Sequence, residues 1–295
     1  MKTALAISGG GSNGAFSVGV VETLIKEFGL TFDVVSGTST GSLIAPLVAL
    51  NDIDKAVDIY TSVHTKDVLT LNWKRFFIDG LYNTKPLEKL IADYMTPSRY
   101  KDLMFSDTEV ILCTISLQSG KKSYFSQRAS IPGTTTWADK EEFVAAVLGS
   151  TNQPVFMIPS KFRGHQFVDG GVREVIPLEV CTQAGAERIF VVASSPEEKQ
   201  IDSKKDYSTF LDIGIRGLGI MVREVSNGDI RYVKSLYEIQ KEFGIDLSNW
   251  LTLPKELVVI RPDAALGDSF KFDPETMTEW LNLGRAKARQ VMNER

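Results

Sequence analysis

Ser39 lies in Gly37-Thr38-Ser39-Thr40-Gly41, a G-x-S-x-G pattern preceded by the apolar pair Val34-Val35 and followed by a small-residue helical run. In such a pattern a strand turns into a helix so tightly that the central hydroxyl stands clear of the backbone, placed to act as a nucleophile. The flanking glycines have a steric reason. A side chain at Gly37 or Gly41 would collide with the neighbouring strand or helix, and glycine tolerates strained backbone. Five-residue matches of this kind arise by chance, so a plain turn containing Ser and Gly stays the alternative until other residues join it.

A serine hydroxyl needs a base. The usual chain order is Ser, then an acid, then His. The chain has only His64 and His165, and none after Asp169. His64 falls at a polar helix end and His165 in the turn Arg163-Gly164-His165, so both are expected to be surface or structural residues. Asp169 is the remaining candidate. It ends a short strand, and Gly170 and Gly171 after it let backbone approach closely. An ordinary Asp-Gly turn is the competing explanation. A free aspartate, with a pKa of about 3.9, is a poor base at neutral pH. Removal from water would raise its pKa and its basicity. The chemistry therefore requires a partly desolvated Asp169 within hydrogen-bond reach of Ser39.

The third element is the loop Gly9-Gly10-Gly11-Ser12-Asn13-Gly14, which follows an apolar strand and opens a helix. Its G-x-G-x-x-G spacing fits a dinucleotide fingerprint, and an acid, Asp33, follows at roughly the right distance. Asp33 begins the second strand, however, whereas a ribose-binding acid belongs at the strand's carboxyl end. A P-loop is excluded because no Gly-Lys-Ser/Thr ends the run. The other use of bare amides at a helix N-terminus is to hold an anion. In acyl transfer that anion is the carbonyl oxygen of the transition state, where one lost donor typically costs roughly 3–4 kcal/mol. Loops after the first two strands both lie at the carboxyl edge of a parallel sheet, so they can face one pocket.

The elements that must position these residues alternate. Strands are predicted at Thr3 to Ser8, Phe32 to Ser36, His165 to Val168, Arg188 to Ala193 and Leu257 to Arg261, with a hairpin over Val110 to Leu117 and Lys121 to Ser126. Helices are predicted after the glycine loop up to Gly29, after Ser39, over 52–63, from Thr84-Lys85-Pro86 to Tyr94, and over 139–148, 177–184, 207–225, 227–242 and 274–292. Pro46 should end or kink the Ser39 helix. Pro154 to Phe162 is expected to be extended, and the glycines of FLDIGIRGLGIMV to serve close helix packing. The alternation indicates an α/β fold with a mainly parallel sheet covered on both faces. The aromatics Trp73, Phe76, Phe77 and Tyr82, with Lys74 and Arg75 among them, suit packing more readily than a lid or lipid-facing loop.

Composition sets the frame. The 295 residues are 43% hydrophobic and 24% charged, as in ordinary globular proteins, and carry a net charge of −4. No basic surface for nucleic acid is implied. No composition break demands a second domain, so 1–295 is taken as one domain, with the motifs in 1–195 and helical and strand additions in 196–295. Cys113 and Cys181 lie in apolar surroundings and are expected to be reduced core thiols. The start MKTALAISGGG lacks the length of a signal peptide and no run of about 18 apolar residues occurs, so the expected address is the cytoplasm. The sequence carries no signal for an oligomeric state.

Together GGGSNG at 9–14, GTSTG at 37–41 and DGG at 169–171 resemble the patatin-like phospholipase family, in order and approximate spacing, across 1–195. LGSTNQPVFMIP and AGAERIFVV look like further family segments. The resemblance implies a three-layer α/β/α fold, Ser39 as nucleophile and Asp169 as its base. It also implies an oxyanion hole built from amides around Gly10 and Gly11. Family members often carry Arg or Lys where this chain has Asn13, which brings hydrogen-bond donors but no charge. A neutral ester or lysolipid is thus as good a candidate as a diacyl phospholipid, and such a substrate allows transient contact with a membrane surface. The mechanism needs no metal or cofactor, and no carboxylates cluster with calcium-loop spacing. An acyltransferase using the same Ser39 is the first alternative, and a nucleotide-binding regulatory module with an inert Ser39 the second.

Overall fold

The computed structural model describes residues 1–72, 80–197, 206–243 and 253–295. Trp73, Lys74, Arg75, Phe76 and Phe77 of the aromatic segment lie outside the described residues.

Strand β1 (Thr3–Ile7) leads through the glycine loop into helix α1 (Gly14–Lys26). Strand β2 (Val34–Thr38) leads through Ser39 into α2 (Thr40–Ala49), followed by α3 (Ile53–Tyr60) and α4 (Thr65–Val68). A short antiparallel pair, β3 (Thr70–Leu71) and β4 (Tyr82–Asn83), precedes α5 (Lys85–Tyr94) and α6 (Pro97–Phe105). Next come β5 (Glu109–Ser116), β6 (Lys122–Ser126), β7 (Thr134–Thr136), α7 (Lys140–Thr151), β8 (Ser160–Phe162) and β9 (His165–Asp169). The chain closes with α8 (Leu178–Gln183), β10 (Arg188–Val192), α9 (Phe210–Phe243), β11 (Glu256–Ile260) and α10 (Pro274–Asn293).

Among the described residues the main sheet has nine strands, with the path β11-β10-β1-β2-β5-β6-β7 and with β9 and β8 attached through β5. Its centre, β11, β10, β1, β2 and β5, is parallel throughout. The carboxyl ends of these strands therefore share one edge, and the glycine loop and Ser39 both emerge there. Alternate strand residues feed two separate cores. Leu5, Ile7, Val35, Leu112, Phe190 and Val192 pack under α1, α2, α7 and α10. Ala4, Ala6, Val34, Ile111, Ile189 and Val191 pack under α8 and α9. This is the three-layer α/β/α arrangement, buried on both faces as parallel sheets are.

Helix α10 lies directly on α1. A Cβ at Gly19 would overlap the Leu281 carbonyl, and one at Gly284 would overlap the Phe16 carbonyl, so the two backbones touch. Arg285 Nε donates to Glu22 Oε2 at 2.7 Å beside that crossing. The closing helix thus braces the helix whose first turn carries the glycine loop. Asp273 caps it, accepting from the Thr276 amide at 3.0 Å.

The structure departs from expectation at several points. Helix α2 does not end at Pro46 but passes through it to Ala49. Burial of Ile44, Ala45, Leu47 and Val48 against the sheet outweighs one lost backbone bond. The two helices expected over 207–242 are one, α9, because Ser226-Asn227-Gly228 does not break it. Among the described residues nothing lies within 4 Å of a Cβ added at Gly214, Gly217 or Gly219, so no close packing by those residues accounts for the glycines. Only Ser160–Phe162 of the segment 154–162 is strand. Cys113 and Cys181 are free and buried, as expected.

Candidate active site

Strand β2 delivers Ser39 in a strained turn. Its φ of 54° and ψ of −121° lie where a residue with a side chain is costly, and α2 begins at the next residue. Neighbours hold that backbone. The Ser39 amide donates to Ser150 Oγ at 3.0 Å, and Ser150 Oγ donates to the Cys113 carbonyl at 2.7 Å. Ser42 Oγ donates to the Ser39 carbonyl at 2.6 Å. The elbow glycines have the steric role expected of them. A Cβ at Gly37 would strike the Gly41 carbonyl, and one at Gly41 would strike the Ile7 carbonyl. On either side of the serine, Thr38 Oγ1 donates to the Glu174 carbonyl at 3.0 Å, and Thr40 Oγ1 bonds Tyr60 OH.

Asp169 reaches the same place from the other direction. Strand β9 runs antiparallel to β5 and pairs Asp169 with Thr114, while β2 runs parallel to β5 and pairs Thr38 with Cys113. The two strands therefore meet end to end on one edge of β5. Asp169 is only 3% exposed. Burial pushes its carboxyl up to about 6, against the opposing pull of the Gly171 amide and the Ser39 hydroxyl. The Gly171 amide donates to Oδ1 at 2.7 Å. Oδ2 has no partner of ordinary hydrogen-bond geometry among the described residues. The Ser39 hydroxyl lies near enough to pull the carboxyl's pKa down, although no bond of ordinary geometry joins the two among the described residues. Gly170 packs its backbone where a Cβ would strike the Cys113 carbonyl and Thr38 Cγ2.

The glycine loop lies against Ser39. A Cβ at Gly9 would sit 3.1 Å from Ser39 Cβ, and one at Gly14 would overlap Thr40. The Gly9 amide is used, donating to the Val175 carbonyl at 3.0 Å; the Ser12 amide donates to the Ser269 carbonyl at 2.9 Å and the Asn13 amide to Gly10 at 3.1 Å. That leaves the Gly10 and Gly11 amides without a partner among the described residues. Asn13 makes no side-chain cap bond, and its Oδ1 is buried and unpaired. Gly11 has a φ of +56° and lies under the Ser269 carbonyl, so only glycine fits. Ser194, just past β10, donates from its Oγ to the Gly9 carbonyl.

Ser39 and Gly11 open onto a pocket with about 1120 Å³ of empty space, its mouth included. Leu43 and Leu47 of α2, Leu87 and Ile91 of α5, and Met157 and Phe270 represent its walls, and among the described residues no charged side chain lines it. Phe270 stacks on Tyr82 at 5.6 Å between centroids, with the planes 15° apart.

The two histidines sit elsewhere. His64 caps α4 with Asp67, and His165 is an exposed residue at the start of β9. Asp33 accepts from the Thr3 amide at 2.7 Å, pinning strand starts at the edge opposite the glycine loop. Among the described residues no group of three or more His, Cys, Asp or Glu could hold a metal ion, and no helix is long and apolar enough to cross a membrane. Sequence reasoning missed Ser150, Ser194 and Ser269. Ser150 lies in LGSTNQPVFMIP and Ser194 follows a carboxyl-edge strand, so position could have suggested both; Ser269 carries no local signal.

A mainly parallel sheet between two helical layers, with a serine elbow and a glycine loop at one edge, defines a patatin-like fold. The chain belongs to the patatin-like phospholipase family, whose model matches residues 5–182. The uncharacterized protein YjjU of Escherichia coli (strain K12) is 23% identical over 206 residues, 67% of this chain and 53% of that protein. Lysophospholipase NTE1 of Lodderomyces elongisporus is 27% identical over 192 residues, 64% of this chain and 12% of that protein. The chain thus spans about half the length of the bacterial relative. The crystal structure of VipD from Legionella pneumophila is similar in fold, with a TM-score of 0.53 at 13% identity, over 99% of this chain and 67% of that one. Ser194, Ser269 and Phe270 all lie beyond the matched 5–182.

Proposed function

We propose that this chain is a lipid acyl hydrolase that cleaves carboxylic esters with Ser39 as nucleophile and Asp169 as base. The observation that carries the proposal is the buried Asp169 carboxylate beside the Ser39 hydroxyl, with Ser39 lining a pocket whose described walls are apolar and uncharged. The acyl chain occupies that pocket. Ser39 Oγ attacks the ester carbonyl and its proton passes to Asp169 Oδ2, the oxygen left without a partner. A carboxylate titrating at about 6 is ionised at neutral pH yet more basic than a free aspartate. The unpaired Gly10 and Gly11 amides stabilise the tetrahedral oxyanion, aided by the positive end of α1. Collapse returns the proton to the leaving alcohol and leaves an acyl-serine. Water, deprotonated by Asp169, then releases the fatty acid and regenerates Ser39.

The Lodderomyces relative carries the name lysophospholipase, which supports a lipid ester as substrate. The test is labelling by a fluorophosphonate, followed by turnover of a panel of lysolipids, diacyl phospholipids and neutral esters. Wild-type protein should label and turn over at least one ester, and Ser39→Ala should do neither. Wild-type protein that neither labels nor hydrolyses any ester overturns the proposal.

A further inference from the structure

The residues that follow the DGG turn form a strut to which all three site motifs are tied. The Arg173 and Glu174 amides donate to the Gly170 carbonyl at 2.9 and 2.8 Å, which holds the turn after Asp169. The Glu174 carbonyl accepts from Thr38 of the serine elbow at 3.0 Å. The Val175 carbonyl accepts from the Gly9 amide of the glycine loop at 3.0 Å. On the α9 side the strut's backbone amides are held by the side chain of Asp229. Asp229 Oδ2 accepts from both the Val175 and the Ile176 amides, each at 2.9 Å. Asp229 comes from the middle of α9, flanked by the buried Ser226, Ile230 and Val233, beyond the 5–182 matched by the family model.

We infer that Asp229 is a positioning residue for the hydrolysis. By fixing residues 174–176 from α9, it sets the spacing between the Gly10 and Gly11 amides and the Ser39 elbow. Resting on the hydrolase reading above, the inference adds to it a part for α9. The physical case is one of leverage. A peptide carrying carbonyl bonds to two catalytic loops transmits any tilt to both, and oxyanion donors lose their effect when displaced by a fraction of an ångström. Two amides on one carboxylate oxygen are charge-assisted bonds, stronger than neutral ones.

Among the described residues the charged groups near Asp229 are few. Glu174 faces it from the strut, and Lys122 from β6, itself ion-paired with Glu174 and Glu179 of α8. Arg173 turns away to the Gly120 carbonyl at 2.6 Å, and Arg261 after β11 bonds Asn227 Oδ1 at 3.2 Å and pairs with Glu197. On α9 itself, Arg231 pairs with Glu224. Burial pushes the Asp229 carboxyl up to about 7; the charge of Glu174 adds to the rise, while the two amides and Lys122 oppose it. As pH falls through that value the carboxylate loses its charge, its hold on the two amides weakens, and kcat should fall.

The experiment compares Asp229→Ala, Asp229→Asn, Val233→Ala and Ser39→Ala, measuring kcat, KM and melting temperature for each on the best ester of the panel. Asp229→Ala should lose at least tenfold in kcat with KM within twofold, and Asp229→Asn, which keeps an acceptor oxygen, should recover to within threefold of wild type. Val233→Ala empties buried space on the same helix and should lower the melting temperature while keeping kcat within twofold. Wild-type kcat in Asp229→Ala, or an equal kcat loss in Val233→Ala, overturns the inference. If Asp229→Ala does not fold, the kcat–pH profile of Asp229→Asn decides. It should lack the ionisation near 7 present in wild type, and an unchanged profile overturns the inference. Ser39→Ala separates the two levels: turnover by that variant defeats the hydrolase reading itself, whereas an inactive Ser39→Ala beside a fully active Asp229→Ala defeats only the part given to Asp229.

Discussion

Thr38 and Asp169 lie opposite consecutive residues of β5, Cys113 and Thr114, on the same edge of that strand. One strand therefore serves as a common ruler for the serine elbow and the candidate base. β2 arrives parallel and β9 antiparallel, so their carboxyl ends converge, and Ser39 follows directly on Thr38. Ser150 ties the pair further, taking the Ser39 amide and giving its hydroxyl hydrogen to Cys113.

If Ser39 and Asp169 act as a pair, neither is dispensable. Ser39→Ala and Asp169→Asn should each lower kcat on the order of 10³-fold or more, and the double variant should be little worse than either. Steady-state kinetics on one ester checks this. Additive losses would show that the two residues act independently.

The pH dependence follows from burial. Asp169 must be ionised to accept the proton, and its carboxyl stands at about 6. On the proposed mechanism kcat/KM should therefore rise with pH through about 6, and the Asp229 ionisation near 7 adds a second, smaller rise that Asp229→Asn removes. An inflection at the ordinary aspartate value would contradict a desolvated base.

Stability should run the other way. A carboxyl whose folded pKa is raised binds more protons folded than unfolded between about 4 and 6, so stability falls as pH rises through that window. The penalty at neutral pH is about 2–3 kcal/mol. Asp169→Asn removes the charge and keeps an oxygen for the Gly171 amide. It should melt higher than wild type at pH 8, with the difference shrinking toward pH 4, as calorimetry across that range would reveal.

Much of this was legible in the sequence because it is local. G-x-S-x-G encodes the strained turn at Ser39, since Gly37 and Gly41 stand where no Cβ fits. The strands of the parallel centre read as short apolar runs because both faces are buried. What escaped is what depends on distant chain. Nothing near Ser269 marks its carbonyl as the partner of the Ser12 amide. α9 looked like two helices because Ser226-Asn227-Gly228 has poor intrinsic helix propensity, but tertiary bonds hold it. Asn227 Nδ2 donates to the Glu197 carbonyl, and Asp229 binds the strut. The course of α2 through Pro46 was set by burial, which local preference does not register.

The glycine loop offers a test of fit rather than of chemistry. A Cβ at Gly10 would overlap Ser194 Oγ and Cβ, with Asn13 Cβ at an ordinary 3.6 Å. Gly10→Ala should therefore lose roughly 10²–10³ in kcat through displacement of the oxyanion donors. Adding Ser194→Gly clears the obstruction and should restore at least tenfold of that loss, although the bond to the Gly9 carbonyl is gone. No restoration would mean that Gly10 matters for a reason other than space.

The acyl pocket supplies the last prediction. Leu90 lines it from α5, on a wall built without the serine elbow or the glycine loop. Leu90→Trp adds bulk to that wall while leaving Ser39, Asp169 and the Gly10 and Gly11 amides in place. Long acyl chains should lose the contacts that burial of each methylene provides, about 0.8 kcal/mol apiece. Displacing two or three methylenes then costs on the order of tenfold or more in kcat/KM. Short esters, which do not reach the wall, should keep theirs. Comparing a sixteen-carbon with a four-carbon p-nitrophenyl ester gives the ratio directly. An equal loss on both would place the acyl chain outside this pocket and require another site for it.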